Sequence, residues 1–90
     1  MQSKNKPSMT KAEREHVGRI KEMKCGVCES HGLSEAHELR QGEWFTSIPL
    51  CEDCHRGHFN GIHGQARIWS VKKLDELAVL NDTIRQMLAR

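Results

Sequence analysis

The chain has no tyrosine, two prolines and only two tryptophans and two phenylalanines among its 90 residues. With 37% hydrophobic residues, the apolar core of so short a chain is marginal, and domains of this size commonly recruit a metal or a partner to fold. No apolar run approaches membrane-spanning length, and the first residues carry neither the basic n-region nor the apolar h-region of a secretory signal. The expected location is therefore the cytoplasm, with no membrane partner. Thiols stay reduced there, so paired cysteines point to a metal rather than to disulfides. A strong charge of one sign is missing too: the formal net charge is +2, too little to argue a nucleic-acid partner. Its distribution says more. Residues 1–24 hold seven basic and three acidic side chains, whereas the rest hold seven and nine. A basic arm can follow a phosphate backbone; a solvated tail and helix face is the plainer reading. There is no internal repeat. The expected organisation is a disordered basic tail over 1–9 and a single domain over 10–90.

What the chain does have is four cysteines in two Cys-x-x-Cys pairs, Cys25/Cys28 and Cys51/Cys54. Four thiols at this spacing make a tetrahedral structural zinc site. One knuckle before a hairpin and one at a helix start is the order of a treble clef, and zinc binding there supplies folding energy on the order of 10 kcal/mol. Gly26 is expected to permit the knuckle turn. Cys51-x-x-Cys54-His55 also fits a c-type haem attachment site, but the second pair and the absent export signal argue against it. A thioredoxin-like redox pair lacks its strand–helix–strand context.

The elements around the cysteines are legible from local signals. Thr10 and Glu13 form a capping box, predicting a helix over 11–24 with Val17, Ile20 and Met23 as its buried stripe. Residues 36–40 and 43–48 read as strands around a turn at Gln41-Gly42, with Trp44, Phe45 and Ile48 on a half-buried sheet and Pro49 ending the second strand. A short helix should begin at Cys51 or Glu52, and 65–71 should form a helical turn carrying Trp69. Asp75 caps a last helix over 76–89, whose Leu77, Leu80, Ile84, Met87 and Leu88 recur on one face. That stripe reads as core, or else as a dimer seam, so the chain is expected to be a monomer or a homodimer. The fold class is α+β: a small zinc-stabilised core flanked by N-terminal and C-terminal helices.

With zinc closed by four sulfurs, the histidines need another role. His55, His58 and His63 crowd a glycine-punctuated loop, and His37 lies on the strand expected to face them. Glycine lets a backbone approach a bulky ligand, and such histidines can converge on one divalent ion and one water. The arrangement resembles the HNH nucleases, whose core is the ββα-metal finger. The resemblance spans residues 24–65. It runs through Cys25-Gly26-Val27-Cys28, Ala36-His37-Glu38-Leu39, Ile48-Pro49-Leu50-Cys51-Glu52-Asp53-Cys54-His55 and Gly61-Ile62-His63-Gly64. More narrowly, the chain looks like small phage and prophage nucleases of the Ref-like and YbcO-like kind.

The resemblance implies a metal-dependent DNA endonuclease acting in recombination or DNA processing, in a bacterium or a phage-infected cell. It implies a strand histidine as general base and other histidines as metal ligands. His37 is assigned as base, His55 and His63 as ligands of Mg²⁺ or Mn²⁺, and His58 as a reserve ligand. Imidazole ligation also admits Zn²⁺, Ni²⁺ or Co²⁺. The family usually shows His-His or Asp-His at the strand, with the metal position first and the base second. Here the tripeptide is Ala36-His37-Glu38, so aligning Leu39 with the family's following apolar residue makes His37 a metal residue and Glu38 the base. Arg56, Arg67, Asn60 and the basic first helix are candidate DNA contacts, with little sequence specificity expected. A recombinase filament is a further candidate partner. A zinc-dependent DNA- or recombinase-binding module without catalysis is the alternative function.

Overall fold

A computed structural model describes residues 8–89; most of the predicted basic tail, residues 1–7, lies outside them. The chain forms α1 (Lys11–Glu22), β1 (Glu35–Glu38), β2 (Ser47–Leu50), α2 (Glu52–Arg56), α3 (Arg67–Val71) and α4 (Glu76–Leu88). It is a small mixed α/β structure in which one two-stranded antiparallel sheet packs among four helices. Among the described residues, no helix is long and apolar enough to cross a membrane.

The first helix starts where the capping box puts it. Thr10 Oγ1 accepts from Glu13 N–H at 3.1 Å, and Glu13 Oε1 accepts from Thr10 N–H at 2.7 Å. Val17 and Ile20 are buried as expected. The helix ends at Glu22, two residues early, because Met23 turns to extended backbone. Ser34 then ties that end down, its hydroxyl donating to Met23 O at 2.7 Å and its N–H to Lys21 O at 2.9 Å.

The strands are displaced from their predicted positions. Residues 44–46 wind into a 3₁₀ turn rather than a strand. Thr46 Oγ1 donates to Glu43 O and Ser47 Oγ to Trp44 O, at 3.0 and 2.7 Å; such local side-chain bonds favour a turn over a ladder. Phe45 is left exposed. The second strand runs through Pro49 instead of stopping at it. In the register His37↔Ile48 and Ala36↔Pro49, the Pro49 carbonyl points away from β1 and accepts from Gly26 N–H at 2.8 Å. Its nitrogen faces the same way, so the ladder loses no donor. All four residues of β2 are buried, since α1 and α4 both pack against it.

The core joins Cys25, Val27, Ile48, Leu50, Cys54, Trp69, Val79 and Leu80. Trp69 is 2% exposed and its indole N–H donates to Cys54 O at 3.0 Å, which ties α3 to α2. The last helix is capped by Asp75, whose carboxylate accepts from Ala78 N–H at 2.8 Å. Its buried face, however, is Val79, Leu80 and Thr83, while Leu77, Ile84 and Leu88 are exposed. The predicted stripe is corrected accordingly. Apolar residues lie on two sides of this helix, and the side that docks is fixed by Val79 entering the first cysteine knuckle.

That docking also gives Gly26 a different role. Its φ is not among the positive ones, which fall at Glu29, Gly32, Gly42, Ala66 and Lys73. A Cβ there would instead lie 2.6 Å from Val79 Cγ1. Val79 is a short, stiff side chain in the core, so Gly26→Ala should destabilise the metal-loaded protein by about 1–3 kcal/mol. Chemical denaturation checks this; unchanged stability would mean that α4 does not pack on the knuckle.

Candidate metal centres

The first centre is the cysteine cluster. Cys25 and Cys28 come from the turn after α1. Cys51 is the N-cap of α2, and Cys54 lies within that helix. The four sulfurs lie within 4.8 Å of one another, and none is in a disulfide. Cys28 Sγ and Cys51 Sγ are 3.7 Å apart. Two thiolates on one tetrahedral zinc, at about 2.3 Å each, would be about 3.8 Å apart, so the donor set fits that ion. Val27 N–H donates to Cys25 Sγ and Cys54 N–H to Cys51 Sγ, both at 3.4 Å. Such bonds favour the thiolate form. The Lys72 ammonium donates to the Val27 carbonyl and so closes the knuckle from α3's end.

The ionisation of the thiols shows what a cation must supply. Burial raises the Cys28 thiol, but hydrogen bonds with Ser30 and with neighbouring sulfurs outweigh it and bring it down to about 7. Burial pushes Cys51 and Cys54 up, and for Cys54 a charge on Cys25 adds to the effect. Four thiolates in one small site repel each other unless a positive ion sits between them.

The second centre is built from histidines. His37 comes from β1, His55 from α2 and His63 from the loop after it, and their ligating nitrogens lie within 4.8 Å of one another. The ring centroids form a nearly equilateral triangle: His37–His55 5.0 Å, His37–His63 5.0 Å and His55–His63 4.9 Å. An imidazole centroid stands about 3.2 Å from an ion that its nitrogen binds at about 2.1 Å, so three rings at tetrahedral angles would be about 5.2 Å apart. The three rings thus fit one shared ion. They line a cavity of about 300 Å³ together with Ala36, Glu38 and Gln41.

Local chemistry explains the convergence. The glycines serve the loop itself rather than a close-approaching ligand. A Cβ at Gly61 would fall 2.5 Å from Gly57 N and 2.6 Å from Gly57 O, so only glycine lets the chain wind back this tightly. Gly61 N–H donates to Gly57 O, and His63 N–H then reaches His55 O at 3.2 Å. This bond brings His63 against α2.

Two carboxylates that the sequence reading did not assign hold the histidines. Glu35 Oε1 accepts from His55 Nδ1 at 2.6 Å, and the same carboxylate takes Arg56 Nε and Nη2 at 3.1 and 2.6 Å. Arg56, and after it His55, hold the Glu35 carboxyl below the usual carboxylate range. The Glu76 carboxylate, at the start of α4, pairs with His37 Nε2. Burial and the neighbouring His55 and His37 lower His63, with Glu76 opposing, which favours the neutral ring that a metal needs. Glu35 carries one signal in the sequence: it stands two residues before His37, on the same strand face. Glu76 lies 39 residues from His37, and no local pattern marks it.

The other predicted site residues lie as follows. His58 is exposed and not part of the histidine cluster; its ring meets the edge of Phe59 at 4.7 Å. Asn60 Nδ2 donates to Asp53 Oδ2 at 3.0 Å, a bond that ties the loop back to α2. Arg67 stands over the Phe59 ring at 4.7 Å, with its Nε donating to Gln65. Arg56 is committed to Glu35 and lies 3.6 Å from Glu52. Glu38 Oε1 accepts from Gly42 N–H at 2.8 Å. His16 packs on the Phe45 ring at 5.2 Å and belongs to neither cluster.

No family model, no curated protein and no solved structure matches this chain.

Proposed function

We propose that the protein is a metal-dependent DNA endonuclease of the HNH type, built on a zinc-stabilised treble-clef and ββα-metal core. The observation that carries this reading is the convergence of His37, His55 and His63 from a strand, the following helix and its loop. The second cysteine pair brackets the start of that helix. One zinc on the cysteines would hold the strand pair and α2 together, and a second divalent ion would be held by the histidines. When bound there, that ion supplies positive charge to the phosphate and the leaving oxygen.

The residues of the chain do the rest. Water attacks phosphorus and gives its proton to a base; the bond from phosphorus to O3′ breaks, and O3′ leaves with the electron pair. The near-equilateral triangle supports His37 as a third ligand, which makes Glu38, in the same cavity, the base. His37 as base, with His55 and His63 alone on the ion, is the other assignment; a neutral imidazole is well suited to accept that proton near pH 7. Glu35 orients His55 so that Nε2 faces the ion. Arg67 and the basic face of α1 are the phosphate contacts of this reading.

A non-catalytic, zinc-dependent DNA-binding module is the second reading. The glutamate at the family's base position favours it. Plasmid nicking by zinc-loaded protein separates the two. An endonuclease should cut only when Mg²⁺, Mn²⁺ or a transition-metal ion is added; binding without cutting under all of them would leave the module.

A further inference from the structure

We infer that Glu76 is a positioning residue of the histidine centre, which makes α4 part of the functional site and not only of the packing. The inference rests on the reading of His37, His55 and His63 as an ion site. An ionised carboxylate can only accept a hydrogen bond. His37 Nε2 must therefore carry the proton that bridges to Glu76, and in the neutral ring Nδ1 is then the free lone pair. The same logic holds at His55, where Nδ1–H donates to Glu35 and Nε2 is free. Two of the three imidazoles thus have one nitrogen tied to a carboxylate and the other open. A metal-binding histidine is commonly held in this way, with ring orientation fixed and donor strength raised.

The placement of Glu76 fits the role. His37 is 8% exposed, so its ring needs a partner for the nitrogen that does not face the ion. Glu76 is the first residue of α4, directly after the Asp75 cap. The cap is made by Asp75 and does not need Glu76. A helix begun at this point therefore delivers a carboxylate to β1, and Asp75 sets where the helix begins. The unit from the first cysteine knuckle to the histidine loop would lack this contact.

The test compares two neighbouring variants of the full chain, Glu76→Ala and Asp75→Ala, each loaded with one zinc per chain. Binding of a further Co²⁺ ion is followed by its visible absorption, and the His37 Nε2 proton by its downfield resonance in ¹H–¹⁵N spectra. Glu76→Ala should lose the downfield resonance and weaken Co²⁺ binding about 10- to 100-fold. Asp75→Ala should lower thermal stability yet keep both the resonance and the affinity. Glu76→Asp, one methylene shorter, should recover part of the affinity. If Glu76→Ala binds Co²⁺ like the wild type, the positioning role is overturned and the ion site stands. If Asp75→Ala weakens Co²⁺ binding as much as Glu76→Ala, Glu76 acts only through the helix end, and the inference fails. A wild type that takes no second ion overturns the ion site and this inference together.

Discussion

Removing metal from the cysteine cluster should unfold the protein. Cys25 and Cys54 are completely buried and belong to the same core as Ile48, Leu50, Trp69 and Val79. That core is small, and the sulfurs contribute much of its centre. Without an ion, four thiols occupy a site where burial resists the charged form of three of them and leaves Cys51 and Cys54 raised. With zinc, binding free energy on the order of 10 kcal/mol becomes folding free energy, which exceeds what a domain of this size usually holds in reserve. A strong chelator, or Cys54→Ser, should therefore abolish the cooperative thermal transition and collapse the dispersion of the amide spectrum. Mass spectrometry of the native protein should find at least one zinc per chain. A chelated protein that still melts cooperatively would show that the apolar core suffices and that the cysteines serve another purpose.

The second large effect concerns the histidines. His63→Ala and His37→Ala should each remove the second ion while the cysteine zinc stays. Under the proposed function, metal-dependent cleavage should fall by about three orders of magnitude or more, since both charge stabilisation and water positioning go with the ion. Glu38→Gln should keep both ions and still lose about 10²- to 10⁴-fold, the usual contribution of a general base. The comparison of His37→Ala with Glu38→Gln decides which is the base. If His37→Ala keeps two ions but not activity, and Glu38→Gln cleaves normally, His37 is the base and the triangle of rings is a ligand pair with a base beside it. Metal content by mass spectrometry and nicking rates on the same preparations give the answer.

His58→Ala is the useful contrast among the histidines. The ring is exposed and packs on Phe59, away from the cluster, so both metal content and fold should be indifferent to it. Spacing alone had made it a reserve ligand, because His55 and His58 would share a face on a continuing helix. The short helix stops at Arg56, and the chain turns at Gly57 before His58 can follow His55. His63, eight residues away from His55 and expected as a ligand with it, is the one that joins the cluster.

The contrast between His58 and His63 separates what the sequence by itself determined from what tertiary structure decided. Signals carried by bonds across three or four residues were legible in the chain: the capping box at Thr10 and Glu13, the Asp75 cap, the start of α2 at the second cysteine pair, and the helical turn around Trp69. The pairing of two Cys-x-x-Cys knuckles was legible for the same reason, since each knuckle is local and four sulfurs have few other uses together. His37, His55 and His63 were named from motif and spacing, but their meeting at 5 Å was not contained in either. Contacts between distant segments decided the remainder. Pro49 could lie inside a strand because its carbonyl meets Gly26. Val79, and not Leu77 or Ile84, became core because the first knuckle left room for it. Glu76 reached His37 only because α4 packs on β2, the strand paired with β1. Hydrophobic periodicity tells how wide a helix's apolar face is, but not which part meets a partner, and a long-range ion pair leaves no periodic trace at all.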